Sequence, residues 1–92
     1  MKVKYFAYFR NETKCKEEDF SFKGITALQL LLHISEKYGS VLADQLLTED
    51  RQEVNKEVIY LINGRTIDFL QGKDSLIQEN DVIALFPRVA GG

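Results

Sequence analysis

One cysteine, Cys15, stands in the whole sequence, so no intrachain disulfide can form and the composition predicts a reducing, cytoplasmic setting. No apolar run approaches the roughly 20 residues of a membrane span, and the opening Met1-Lys2-Val3-Lys4-Tyr5 alternates instead of building a signal-peptide block. Lys and Arg are interspersed with Asp and Glu, the net charge is −2, and no basic cluster offers a phosphate-binding footprint. Nucleic acid and membrane are therefore not expected partners. A Gly-rich phosphate loop is missing, so the chain is not expected to bind ATP itself. His33 has no second His or Cys nearby, which speaks against a metal site. Asp68, Asp74, Glu79 and Asp81 are dispersed through a turn-rich stretch and read as turn formers and solubilisers. Cys15, between Lys14 and Lys16, reads as a bystander.

What is present suits one small globular domain. With 92 residues, 45% hydrophobic and 28% charged, the chain matches ordinary folded usage. It is long enough to bury roughly two-thirds of its unfolded surface.

Residues 3–10, Val-Lys-Tyr-Phe-Ala-Tyr-Phe-Arg, have high β-propensity and predict a strand. Val3, Tyr5, Ala7 and Phe9 would face one side; Lys4, Phe6, Tyr8 and Arg10 would face the other. Asn11-Glu12-Thr13 has turn chemistry, and residues 14–22 predict the returning strand, with Phe20 and Phe22 on one face and the charges from Lys14 to Asp19 solvated. Thr26-Ala27-Leu28-Gln29 forms a capping box, the stripe Ala27, Leu30, Leu31, Ile34, Tyr38 has helical spacing, and Gly39 supplies a stop. A helix over about 26–38 follows, then a short one over 41–48 with Leu42 and Leu46 inward. Residues 48–56 read as a polar loop. Val58–Ile62 predicts a strand apolar on both faces, Asn63-Gly64 a hairpin turn, and Arg65-Thr66-Ile67 a short return strand. Residues 68–81 read as irregular, anchored by Leu70 and Leu76-Ile77. Val82–Phe86 is the last strand, stopped by Pro87.

This order predicts an α+β fold: a mixed sheet of four to five strands packed on one main helix, with a short second helix. The first and third long strands can be parallel neighbours, joined by a crossover through the helix. Residues 1–87 would be the domain and 88–92 a flexible tail. With Ile83 and Leu85 inward, Val82, Ala84 and Phe86 point away from the core, beside Phe6 and Tyr8 if the strands are adjacent. An outward apolar face of this kind predicts an interface.

The end of the sequence, Ala90-Gly91-Gly92, carries almost no side chain. With Gly near 7% of ordinary usage, two in the last two places arise by chance in about one chain in two hundred. A Gly-Gly end can thread a channel too narrow for side chains. Its carboxylate is a poor electrophile until activated, for instance as an acyl-adenylate, after which it can accept sulfur or an amine.

On these residues the sequence resembles the small subunit of molybdopterin synthase, the MoaD-like, ubiquitin-like β-grasp family of sulfur carriers. The likeness spans nearly the whole chain: Val3 to Arg10 with Phe6-Ala7, the Thr26–Tyr38 helix, Ile62-Asn63-Gly64-Arg65, and most specifically the run from Asn80 through Phe86-Pro87-Arg88-Val89-Ala90-Gly91-Gly92. The resemblance implies that an E1-like (MoeB-like) adenylyltransferase uses ATP to adenylate Gly92, and that a sulfur-donor protein converts it to a thiocarboxylate. Val89, Ala90 and Gly91 would then enter a MoaE-like large subunit, where sulfur passes to cyclic pyranopterin monophosphate. It also implies that Arg10 and Phe86 face the partner, and Phe6, Tyr8 and Arg88 join them as expected interface residues. Asn80-Asp81 replaces the family's usual Gly-Asp turn, and Arg88 replaces a second proline common after Pro87. The polar segment 48–56 looks like an insertion relative to shorter members. A carrier for thiazole synthesis or tRNA thiolation, or a protein modifier, shares the same tail chemistry.

Overall fold

Val3 and Tyr5 alternate with Lys2 and Lys4, and only the first pair is fully buried, so Lys2–Tyr5 forms the opening strand, β1. The structure, a computed structural model, describes residues 1–88. The strand expected over 3–10 ends at Tyr5. Ala7 takes φ 55°, ψ −133°, which turns the chain, and Tyr8–Thr13 winds into a short helix, α1. The turn bonds Phe9 N–H to Phe6 O at 3.2 Å and Arg10 N–H to Ala7 O at 3.0 Å. Winding seats Phe9 fully in the core while Ala7 stays exposed, whereas an extended strand would have sent both inward. Burial of one aromatic ring outweighs the β-propensity of the segment. The expected turn at 11–13 therefore lies inside α1 and just before its left-handed end at Lys14 (φ 59°).

The return strand shortens to Glu17–Asp19, β2, antiparallel to β1 with Val3 opposite Glu18. Ile25–Thr26 is a two-residue strand, β3. Thr26 then caps Ala27–Tyr38, α2: its hydroxyl accepts the Gln29 N–H at 3.2 Å, and the Gln29 side chain accepts the Thr26 N–H at 2.9 Å. Ala27, Leu30, Leu31 and Ile34 are fully buried, and Tyr38 at the end of the stripe is half-buried. Gly39, at φ 100°, separates α2 from Ser40–Leu46, α3, which buries Leu42 and Leu46. Residues 48–56 form a loop closed by a bridge between Leu47 and Val54.

Val58–Ile62, β4, turns at Asn63 (φ 51°) and Gly64 (φ 83°) into Arg65–Thr66, β5. Two successive positive φ angles are the requirement that Asn-Gly meets. Ile67 does not extend β5; it opens a single 3₁₀ turn, Ile67–Phe69, and is itself buried. A second 3₁₀ turn spans Gly72–Asp74, and Leu76–Ile77, β6, pairs with β3. Strand alternation puts Ile77 in the core and Leu76 out, 58% exposed, while Leu70 is 38% exposed. Of the expected anchors Ile77 is in the core, while Leu70 and Leu76 are not; the second anchor is Ile67, just ahead of the stretch.

Val82–Pro87, β7, completes a five-stranded sheet of order β2-β1-β7-β4-β5. The parallel neighbour of β1 is β7, and the third long strand, β4, lies beyond it, antiparallel to β7. Pairing β1 directly with β4 would leave one side of the six-residue β7 ladder unsatisfied, a cost that its central place removes. One face of the sheet packs on α2, where the Tyr60 hydroxyl donates to Ala27 O at 2.8 Å. This is an α+β, ubiquitin-like build.

Candidate functional site

The sheet face turned away from α2 follows from strand alternation. Ile83, Leu85 and Pro87 of β7 are buried, which turns Val82, Ala84 and Phe86 outward; Val58, Tyr60 and Ile62 of β4 are buried, which turns Ile59 and Leu61 to the same side. Val82, Ala84 and Phe86 were expected on this face from the strand pattern; Ile59 and Leu61 were not. Their signal was available in the period of β4, once one face was known to be covered.

Phe6 follows β1 directly and stacks on Phe86, ring centroids 4.1 Å apart and planes within 9°. The Arg10 guanidinium carbon lies 5.5 Å from the Phe6 centroid, and Arg10 Nε donates to Tyr5 O at 3.1 Å. Phe6, Phe86 and Arg10 are therefore brought together, although Arg10 arrives from α1 and not from a long strand. Tyr8 does not join them. On α1 its ring meets Phe9 edge-on at 5.1 Å, and it is 43% exposed. A helix separates it from the face it would have shared with Phe6 on a strand.

Arg88 is exposed just past β7. Its N–H donates to Glu57 O at 2.6 Å and its Nε to Lys56 O at 3.4 Å, so the chain is still held against the approach to β4 at this point. Val89, Ala90, Gly91 and Gly92 lie outside the described residues.

The charges from Lys14 to Asp19, read as solvated, contain one exception. Glu18 faces inward with its side chain 14% exposed. Its Oε1 accepts the hydroxyls of Tyr5 at 2.5 Å and Tyr38 at 2.8 Å, and its Oε2 accepts Lys37 Nζ at 2.6 Å. Burial would raise the Glu18 carboxyl, but the hydrogen bonds from Lys37, Tyr5 and Tyr38 outweigh it and hold the group below the usual carboxylate range. Burial, and then the bond to Glu18, push the Tyr5 hydroxyl far up, so it stays a donor. The signal was Glu18 keeping step with Phe20 and Phe22 at spacing two, masked by the charges around it.

Cys15 Sγ lies 3.8 Å from the Tyr38 hydroxyl, and the His33 ring packs on Phe22 at 4.7 Å. Asp81 works as a turn former: Oδ1 accepts Asn63 Nδ2 at 2.9 Å and Oδ2 accepts the Gln78 N–H at 2.8 Å. Among the described residues no group of three His, Cys, Asp or Glu side chains is placed to hold a metal, and no helix is long and apolar enough to cross a membrane.

A mixed five-stranded sheet on one main helix, with aromatic residues on its outer face, is the build of a ubiquitin-like β-grasp protein, the fold of the sulfur carriers and modifiers. The chain belongs to the ThiS family, whose model matches residues 3–92. It is similar to the small archaeal modifier protein 1 from Methanosarcina acetivorans, with 28% identity, TM-score 0.81, and coverage of 99% of this chain and 94% of that one. A Pyrococcus furiosus chain provisionally named molybdopterin converting factor, subunit 1, shares 26% identity at TM-score 0.68, covering 96% and 95%. A chain of the Amycolatopsis orientalis BexX/CysO complex shares the fold at 20% identity, TM-score 0.80, covering 99% and 98%. Among curated proteins none matches.

Proposed function

We propose that this chain carries sulfur in molybdopterin biosynthesis, with the carboxylate of Gly92 as the working group. An E1-like adenylyltransferase joins that carboxylate to the α-phosphate of ATP, releasing pyrophosphate. A sulfur-donor protein then supplies the sulfur nucleophile, AMP leaves, and a thiocarboxylate forms. Inside the large subunit of molybdopterin synthase, the thiocarboxylate sulfur attacks cyclic pyranopterin monophosphate, and hydrolysis of the resulting acyl link returns the carboxylate. ATP belongs to the activating enzyme, and the carrier contributes no catalytic side chain. Activation and delivery both take place in the cytoplasm.

The observation that carries this reading is one of connectivity. β7 bears Phe86, half of the aromatic stack, and two residues later Arg88 leads into the small-residue end. A partner that docks on the stack therefore stands at the root of the tail. The likeness to the Pyrococcus furiosus protein supports the molybdopterin pathway. The test is the intact mass of the protein from its native cell: an oxygen-to-sulfur increment on the C-terminal peptide is expected, with co-purification of the synthase large subunit. Co-purification of a thiazole synthase in its place would move the sulfur to another acceptor.

The likeness to small archaeal modifier protein 1 favours a second reading, in which Gly92 is joined to lysines of target proteins. Gly-Gly remnants on lysines after proteolysis of cell lysate would establish it.

A further inference from the structure

On the helix side of the molecule, away from the outward sheet face, a groove of about 360 Å³ lies between α2 and the chain that leads into β3. Phe22, Lys23 and Ile25 line its loop wall; Gln29, Leu32 and Glu36 line its helix wall. Leu32 lies about 200° around α2 from the buried Leu30, so it points away from the core, and it is 38% exposed. Leu76 of β6 stands beside the loop wall, since a methyl group at Gly24 would meet its Cδ1 at 3.8 Å. It too is exposed. Among the described residues neither Lys23 nor Glu36 belongs to an ion pair.

Two aliphatic side chains thus face water on a helix whose core stripe is already buried, and contiguous apolar exposure of this kind marks a surface that is covered. The walls differ in sign, Lys23 on one and Glu36 on the other. A partner of one charge sign would satisfy one wall and repel the other. A second copy of this chain brings both signs. In a two-fold dimer whose axis runs along the groove, the loop wall of each copy lies over the helix wall of the other. That single operation sets Lys23 toward Glu36 and Leu76 toward Leu32, and it forms each pair twice.

We propose that this groove is a self-association surface, and that its occupant is a second copy of the chain bound face to face. Two short walls bury less than the roughly 1,200 Å² of a stable interface, so the dimer is weak, with a dissociation constant of about 0.1 mM. Because the shared groove is on the helix side, the Phe6–Phe86 stack of each copy remains uncovered. The inference does not rest on the carrier reading, which the sulfur increment on Gly92 tests separately.

The experiment is sedimentation velocity of the full chain from about 10 µM to about 1 mM. A monomer–dimer equilibrium that weakens in salt is expected, and Leu32→Asp should abolish it. Lys23→Glu and Glu36→Lys should each weaken association about tenfold, with circular dichroism unchanged. Mixed in equal amounts, the two variants should form a heterodimer at least as tight as the wild-type dimer, because both pairs then join opposite charges again. The double variant Lys23→Glu, Glu36→Lys should self-associate as the wild type does, for the same reason. A chain that stays monomeric at about 1 mM would overturn the proposal. So would a dimer that survives Leu32→Asp, or a mixture of the two reversals that pairs no more tightly than each variant alone.

Discussion

Glu18 joins three elements through one carboxylate: Tyr5 of β1 on one oxygen, Tyr38 and Lys37 of α2 on both, with β2 supplying the backbone. Glu18→Ala would leave the fully buried Tyr5 with a hydroxyl lacking its acceptor, at a cost of about 2–4 kcal/mol. The pH dependence has a definite sign. Because the folded-state carboxyl is held below its ordinary value, its contribution is complete above the ordinary carboxylate range and disappears as pH falls through the depressed folded value. Glu17 and Asp50 are also lowered and add to the acid loss of the wild type, so the comparison must be differential. Urea denaturation of wild type and Glu18→Gln at neutral and acid pH provides it: the gap between them should be wide at neutral pH and close in acid. A gap that stays constant would show that the carboxylate charge contributes nothing. Residues of this kind were poorly legible in the sequence, because Tyr5 and Tyr38 are remote from Glu18 along the chain. Arg10 presents the same difficulty: the family resemblance pointed to it as a partner contact, but the carbonyl that fixes it belongs to a strand end the local pattern did not reveal.

Elements were legible in proportion to how local their causes are. For α2 the cap, the stripe and the stop all lie within the segment, and its start and end agree with the expectation to a residue. Asn63-Gly64 was equally self-contained, since the two residues alone supply the positive φ angles. The opening segment was different. Its alternation and β-propensity both favoured a strand to residue 10, and what ends the strand at Tyr5 is a tertiary demand, the seat for Phe9 between sheet and helices. The chain meets that demand by placing Ala7, an L-residue, at φ 55°, ψ −133°, a region that favours glycine. Ala7→Gly is therefore expected to raise stability by about 1 kcal/mol, relief of strain exceeding the entropy added to the unfolded chain. Thermal and urea unfolding check the sign. Loss of stability would mean that the Ala7 methyl makes packing contacts worth more than the strain. The same variant tests the junction between β1 and α1, since retention of the Phe6–Phe86 stack, read from aromatic ring-current shifts, is expected alongside the gain.

At the scale of the molecule, the central place of β7 is what relates the fold to the proposed function, and it was the least legible feature. No local signal states that the final strand inserts between the first and the fourth; the decision rests on satisfying every ladder at once. Its consequence is that the end of the chain issues from the middle of the sheet, beside the aromatic stack, instead of from an edge. The outward Phe86 was legible in the sequence, but the register that sets it beside Phe6 belongs to the whole sheet. Among the described residues the core cluster runs from Met1 to Leu85, and Arg88 N–H donates to Glu57 O. Val89-Ala90-Gly91-Gly92 offers little side chain to bury, so removal of residues 89–92 is expected to shift the melting temperature by no more than about 2 °C. The same truncation should abolish pyrophosphate release with the activating enzyme and ATP, because no carboxylate would then reach the nucleotide. Affinity for that enzyme should fall far less than activity does, since Phe6, Arg10 and Phe86 remain in place. A large drop in melting temperature would show that the tail is part of the folded body, and undiminished adenylation would show that Gly92 is not the reacting group. The three readouts separate a domain that recognises from a terminus that reacts, which is the division of labour the position of β7 makes possible.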